Sequence, residues 1–367
     1  ESRDKQGSTS SIVSTQAGGR SGEPTIANAL SGKAAGLSVV RTSGDPGAGS
    51  RIRIRGANTI LGSSDPLIIV DGSPLNSATT KIVNGGSSSS GAVSFGSRLN
   101  DINPADIASL QVLKGASAAA LWGSRAANGV IVITTKEGQS GKAKISFTSS
   151  YSFDEISERI PRQNVWGQGR NGSYSPTLAE SWGDYIPERS GGADLVDNSG
   201  GFFTSESGNI YYPITQKNSQ QTYIEENFNA AFQTGTVWQN DLTMSGGNEK
   251  NTYFFSLSNL QQEGIIREST YNRTNIRFNY NAKLNDWMNL SNKLAYAFTD
   301  SNLTQGNSNV GGIQLGHLRT PADFDNRDYI GIYTNASGQE FPRRHRAYRR
   351  YLGNNENPIY NNPLWTT

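Results

Sequence analysis

The stretch "TNIRFNYNAKL", Thr274 to Leu284, decides how the second half of the chain is read. Its residues alternate without a break. Ile276, Phe278, Tyr280, Ala282 and Leu284 oppose Asn275, Arg277, Asn279, Asn281 and Lys283. A period of two belongs to a β-strand, whose successive side chains point to opposite faces. Such a strand has two homes. In a soluble β-sandwich the apolar face lines the core and the polar face meets water. In a membrane β-barrel the apolar face meets lipid and the polar face an aqueous lumen.

The pattern recurs on both sides. In "KAKISFTSSYSF", Ala143, Ile145, Phe147, Tyr151 and Phe153 share one face. In "NTYFFSLSN", Tyr253, Phe255 and Leu257 oppose Thr252, Phe254, Ser256 and Ser258. In "MNLSNKLAYAF", Met288, Leu290, Leu294, Tyr296 and Phe298 share a face, and "VWQNDLTMSG" fits more loosely through Trp238, Leu242 and Met244. Three details favour the barrel. The strands are near the roughly 9–11 residues that cross a bilayer at a tilt. Aromatic residues gather near strand ends, as in an interfacial girdle. The turns "SGGNEKN" and "NDW" are tight, whereas Asp154 to about Val237 is one long connection, and barrels have short turns on one side and long loops on the other.

Composition narrows the function classes. The chain has 367 residues, and its formal charge of +2 gives no global field for nucleic acid. Mean hydropathy is −0.56, and no apolar run approaches the roughly 18 residues of a membrane helix. There is no cysteine, and His317 and His345 are the sole histidines, so thiolate and His-rich metal sites are excluded. Aromatic residues at 9% speak against disorder. No cofactor or metal is expected.

Before Gly138 the grammar differs. "PTIANALSGKAAGLSV" places Ile26, Leu30 and Ala34 or Ala35 at helical spacing, stopped by Gly36. "GLSVVRT" and "SRIRIRG" read as short strands, and "PLIIVDGSPL" as a buried strand with an Asp71–Gly72 turn. "NPADIASLQVLKG" reads as a helix capped by Asn103, with Pro104 in its first turn and Ile107, Leu110 and Leu113 on its apolar face. "GVIVITTK" closes the unit as a strand. The whole is a small α/β domain. The polar stretch between Asn76 and Arg98 reads as a surface loop, with a ligand-facing loop as the sharper reading.

No stretch carries catalytic chemistry. "NALSGKA" has Ala27 where a phosphate loop needs its first glycine, and Ala34 after Lys33. In "GSRAANG" the strand follows the glycines, the reverse of a dinucleotide fingerprint. Asp323/Asp325 and Glu225/Glu226 are expected in solvated loops, and two loop histidines make no triad. The basic run "FPRRHRAYRRYLG", Phe341 to Gly353, is expected to be an extended loop whose arginines bridge acidic or carbonyl groups.

"RIRIRGAN", "PLIIVDGSPL", "INPADIASLQVLKGASAAALWGSRAANGVIVITTKEG", "NTYFFSLSNLQQEGIIRESTYNRTNIRF" and the tail "DNRDYIG…RRHRAYRRYLG…YNNPLW" resemble the SusC/RagA-like TonB-dependent outer-membrane transporters of Bacteroidota. The resemblance covers nearly the whole chain from about Ser10. It implies a small α/β plug domain followed by antiparallel strands of a transmembrane β-barrel, incomplete in this chain. Residues 1–9 would lead from the Ton box region, 10–138 would be the plug, and 139–367 the first barrel strands and long loops. About five strands are readable, where a plugged transporter barrel has about 22, so the chain is expected to be an N-terminal portion.

The implied activity is TonB-dependent import of an oligosaccharide or peptide nutrient, with no enzymatic step. The implied partners are the TonB complex, a SusD-like surface lipoprotein and outer-membrane lipid. Asn84, Ser88, Ser89 and Phe95 of the Asn76–Arg98 loop are the substrate-contact candidates. Gly115, Ala119, Gly123, Arg125, Asn128 and Gly129 are the packing and gating candidates. Gly123 and Gly129 are to permit turns that a side chain resists, Leu121 and Trp122 are to supply bulky contacts, and Arg125 is to pair with the barrel wall. Two other classes stay open: a plug-plus-edge-strand module serving as partner of another outer-membrane assembly, and a soluble β-sandwich adhesin.

Overall fold

A computed structural model of the chain describes residues 10–14, 25–30, 32–41, 43–56, 64–76, 81–82, 93–94, 97–114, 120–304, 312–353 and 362–365. The N-terminal part is built from β1 (Ser10–Ser14), α1 (Ile26–Leu30), β2 (Leu37–Arg41), β3 (Ser50–Ile54), β4 (Leu67–Val70), β5 (Ser73–Leu75), β6 (Lys81–Ile82), β7 (Val93–Ser94), β8 (Ile107–Leu113) and β9 (Val130–Thr135). Five of these strands form one mixed sheet in the order β1-β8-β9-β4-β5, with β9 at its centre. β4 and β9 run parallel, and both bury residues on two faces, which explains their unbroken β-branched runs. Ile131 and Ile133 pack with Ile26 and Leu30 of α1 and with Ile52 and Ile54 of β3. Val130 and Ile69 face the other way, toward Ala126 and the partly buried Trp122. Asp71 and Gly72 take φ +48° and +88°, a left-handed pair that joins β4 to β5 as the Asp-Gly dipeptide requires.

Two expectations for this part need correction. The helix is five residues long and ends at Leu30; Ala34 reaches the core from a turn after it. More importantly, "NPADIASLQVL" is a strand. Asn103 does cap a turn, its side chain accepting from the Ala105 N–H, but that turn is a three-residue 3₁₀ piece, and β8 follows. The triad Ile107, Leu110 and Leu113 fits a helix, yet it omits Val112, which is fully buried. Pairing with β1 on one side and β9 on the other settled the matter for a short apolar run that periodicity alone leaves ambiguous.

After a short crossing the chain enters β10 (Gly141–Asp154). A long outer segment follows, with β11 (Gly169–Arg170), β12 (Ser173–Tyr174), β13 (Leu195–Val196), β14 (Phe202–Ser205), β15 (Ile210–Tyr211), β16 (Ile214–Gln216) and α2 (Ile224–Ala231). Then come β17 (Gly235–Gly247), β18 (Asn251–Glu263), β19 (Thr270–Lys283) and β20 (Asn289–Asn302). The last part carries α3 (Ile313–Arg319), β21 (Ile330–Thr334) and β22 (Glu340–His345). β10, β17, β18, β19 and β20 make a purely antiparallel meander, here called the wall, open at β10 and β20.

The wall is turned inside out relative to a soluble sheet. Ser256, Ser258, Asn275, Arg277 and Asn279 are buried, whereas Ile145 and Phe147 are each 67% exposed and Ile276 and Phe278 each 40%. The polar face of β18 and β19 lies against the N-terminal domain, and none of the described residues covers the apolar face. That is the arrangement of a membrane barrel, and it rules out the sandwich. Trp287, in the tight turn between β19 and β20, is 82% exposed, as an interfacial anchor is.

The outer segments fold on one another. β14, β15, β21 and β22 form one sheet that joins residues on both sides of the wall strands in sequence. Asp323 is not in a solvated loop: its carboxylate is buried, 2.8 Å from Arg189 Nη2, and accepts from the Gln168 N–H at 3.0 Å. Arg189 also pairs with Asp184 at 2.7 Å, so one guanidinium ties two distant stretches together. The basic run contributes a strand and two buried arginines, Arg346 and Arg350. Arg346 lies 3.6 Å from the centre of the Tyr211 ring and donates to the Asp325 carbonyl, which is the bridging role expected of it.

Candidate functional site

The N-terminal domain and the wall meet along a seam of hydrogen bonds and ion pairs. It begins with Asp71, fixed by the turn after β4. Its carboxylate accepts from the Thr135 N–H at 2.9 Å and the Thr135 hydroxyl at 2.7 Å. Thr135 ends β9, so this contact locks two neighbouring strand ends. From the wall, Arg277 reaches Asp71 at 3.6 Å and Asp106 at 3.4 Å, and Lys293 reaches Asp71 at 3.5 Å and Glu137 at 2.6 Å. The alternation of β19 makes this possible. Arg273, Asn275, Arg277 and Asn279 all share the face toward the domain, and each makes a contact with it.

The two acids at Arg277 sit in different environments. Burial by itself would raise the Asp71 carboxyl, but the two Thr135 bonds and the charges of Lys293 and Arg277 outweigh it and hold the group below the usual range. For Asp106 burial wins; the Ser256 hydroxyl and then the Arg277 charge offset it only in part, so that carboxyl is raised. The guanidinium matters more to Asp106, whose side chain is 2% exposed and whose Oδ1 has no hydrogen-bond partner.

On both sides of Arg277 along β19 the wall grips main-chain oxygens. Arg273 donates to the Asn100 carbonyl, Asn275 to Asp101 O at 2.6 Å, and Asn279 to Lys136 O at 2.7 Å. The Asn103 side chain donates to Asp241 of β17 at 2.7 Å. The Asn100 amide holds the turn at Gly47 and Ala48 through their carbonyls. Gly47 takes φ +65°, and a Cβ there would fall 2.2 Å from the Tyr271 ring, so that ring can lie on the turn only because the residue is glycine.

Beyond this turn is a cavity of about 820 Å³, bounded by Ser43–Asp45 of the domain, by residues 156–164, by α2 and α3, and by Ile265 and Ile266 between β18 and β19. His317 of α3 lines it and is buried; burial, followed by the charges of Arg162 and Arg159, pushes its imidazole down to about 4.

Some sequence candidates take part in these features and others do not. Asn84, Ser88, Ser89, Phe95, Gly115 and Ala119 lie outside the described residues. Gly123 and Gly129 take φ +67° and +90°. At Gly129 a Cβ would sit 2.8 Å from Ile54 Cδ1 and 2.9 Å from the Leu113 carbonyl, so only glycine fits. Asn128 donates to Asp65 O at 3.5 Å. Trp122 packs as expected, but Leu121 is 72% exposed, and Arg125 is exposed with no ion pair among the described residues. The ion pairs with the wall are made by Asp71, Asp106 and Glu137 instead. A strictly alternating strand with two arginines on its polar face, Arg273 and Arg277, was the available signal, since a lumen-facing charge next to a plug needs a partner.

Residues 2–130 match the family model of the TonB-dependent Receptor Plug Domain. The TonB-dependent receptor SusC of Bacteroides thetaiotaomicron is 33% identical over 280 residues, covering 72% of this chain and 23% of that protein. A TonB-dependent receptor of Formosa agariphila is 30% identical, over 75% of this chain and 23% of its own length. Among solved structures, the RagAB peptide importer in its closed-closed state aligns with a TM-score of 0.66 at 24% identity, over 97% of this chain and 36% of that one. Its open-open state aligns with a TM-score of 0.63. The chain thus spans about a quarter of the length of the curated relatives it matches.

Proposed function

We propose, from the premise that this chain is SusC/RagA-like and carries the plug and opening barrel strands of a TonB-dependent receptor, that the whole protein imports a nutrient across the outer membrane of a Gram-negative bacterium. In this reading residues 10–138 are the plug, 139–367 supply the first part of the barrel and its outer segments, and 1–9 lead from the segment that TonB engages. The cargo is an oligosaccharide or a peptide, held above the plug, and a SusD-like lipoprotein covers the outer mouth. The step needs no bond chemistry. Cargo binding, a pull from the periplasm and displacement of the plug are sufficient.

One observation carries the reading: a wall whose charged and amide side chains are buried against a separate domain while its aliphatic and aromatic residues face outward. Such a face is stable only beside lipid. The seam supports a removable stopper, because most of its contacts are polar, with Tyr271 and Phe254 as apolar exceptions. Polar contacts can be exchanged for water when the plug moves, at a cost far below that of exposing an apolar core of equal area. The Asn76–Arg98 loop, with Asn84, Ser88, Ser89 and Phe95, is our candidate for plug contact with cargo. The test is uptake of labelled oligopeptides and oligosaccharides by cells carrying the full-length receptor, with and without TonB. Uptake that survives loss of TonB refutes the import reading. Uptake unchanged by deleting residues 76–98 refutes the role of the loop.

A further inference from the structure

The cavity beyond Gly47 has a chemistry of its own. Five isoleucines line it: Ile156 and Ile160 of the outer segment, Ile224 at the start of α2, and Ile265 and Ile266 between β18 and β19. The aromatic residues in the lining are Phe228 and Phe232, and one face of Phe228 is already covered by the Arg159 guanidinium at 3.6 Å. A sugar ring stacks on a broad open aromatic face, usually of tryptophan or tyrosine, and this lining has neither. Branched aliphatic walls fit an aliphatic side chain instead.

Charge in the lining is unbalanced. Glu225 is paired with Arg159 at 2.7 Å, and Arg162 donates to the Thr320 carbonyl through one nitrogen, while its buried Nη1 has no hydrogen-bond partner among the described residues. That leaves Asp45 of the plug, Glu158 and Glu226, none of which is in an ion pair among the described residues. His317, 5% exposed, also lines the cavity, and its Nδ1 has no hydrogen-bond partner. A largely apolar pocket with four carboxylates against two guanidiniums, and with two unmatched buried polar atoms, His317 Nδ1 and Arg162 Nη1, calls for a ligand with an aliphatic body, a cationic group and an amide whose carbonyl can accept from Arg162.

We propose that this cavity receives the amino-terminal end of a short peptide, with its aliphatic first side chain among the isoleucines and its ammonium facing Asp45, Glu158 and Glu226. The proposal rests on the import reading and narrows its cargo from oligosaccharide or peptide to peptide. It also places one recognition group, Asp45, on the plug itself, so that an occupied cavity touches plug and outer segments together.

The test is calorimetry on the full-length receptor in detergent, with a pentapeptide beginning with isoleucine, its N-acetylated form, and maltohexaose. The free-amine peptide should bind, and acetylation should weaken it about tenfold or more, since it deletes a charge-assisted contact. Glu158→Gln combined with Glu226→Gln should bring the free peptide toward the acetylated one and leave the acetylated one unchanged. Glu158 is exposed, Glu226 is half-buried, and neither is in an ion pair among the described residues, so the variant is expected to keep its fold. Equal affinity of the two peptides, binding of neither, or competition by maltohexaose overturns the proposal. Peptide binding without TonB-dependent uptake sinks the import reading and leaves the cavity assignment standing.

Discussion

Replacing Arg277 with methionine tests which contact holds the plug in the wall. The guanidinium lies 3.6 Å from Asp71, 3.4 Å from Asp106 and 3.4 Å from the Thr135 hydroxyl, and the side chain is 9% exposed. Asp71 loses little, because it keeps two bonds from Thr135 and the ammonium of Lys293. Asp106 loses its cationic partner. Removing one member of a buried pair costs about 3–5 kcal/mol, mostly from the charge left behind. If that charge is Asp106, then Asp106→Asn in the Arg277→Met background should restore about 2 kcal/mol or more, because a neutral amide carries no stranded charge. Asp71→Asn in the same background should restore almost nothing. The assay is urea unfolding of the plug in the detergent-solubilised full-length receptor, followed by protease access while the barrel stays intact. A loss under about 0.5 kcal/mol for Arg277→Met, or rescue by Asp71→Asn in place of Asp106→Asn, refutes the reasoning.

Four further outcomes are expected. Gly129→Ala should destabilise the plug by about 1–3 kcal/mol, read as an earlier urea midpoint, because φ +90° and the Ile54 and Leu113 contacts leave no room for a methyl group. Phe278→Arg puts a charge on the outer face of the wall and should cost about 2–4 kcal/mol at the bilayer midplane, seen as reduced outer-membrane assembly; Phe254→Arg on the inner face should leave lipid contact untouched and loosen the plug instead. Arg189→Met should strand Asp323 and speed proteolytic cleavage within residues 155–234. His317 titrates near 4 in the folded protein and near 6.5 when unfolded. The unfolded chain therefore takes the proton first. The stability His317 lends is full above about pH 6.5 and falls away toward pH 4, and His317→Gln should flatten that slope in outer-segment melting curves.

Much of the wall could be read from the sequence because lipid imposes a simple rule on every second residue. Ile276 and Arg277 announce their faces without reference to any other strand. The plug was harder. Ile107 to Leu113 suits a helix as well as a strand, and only the neighbours β1 and β9 decide between them. The seam was harder still. Arg277 meets Asp71 and Asp106, more than 170 positions earlier in the chain, and spacing says nothing about contacts of that range. Asp323 looked like an ordinary loop acid because its partner, Arg189, lies 134 positions away.

The grip of Arg273, Asn275 and Asn279 on the carbonyls of Asn100, Asp101 and Lys136 has an evolutionary consequence. Every residue offers the same main-chain oxygen, so a wall that holds the plug by its backbone is blind to which side chains the plug displays there. Positions 101 and 136 are free to drift in a lineage without loosening the stopper, while a single change at position 275 or 279 is felt at once. Plugs and walls of this design should therefore diverge at unequal rates along the seam, and a plug grafted from a distant relative should still seat wherever its backbone path is kept.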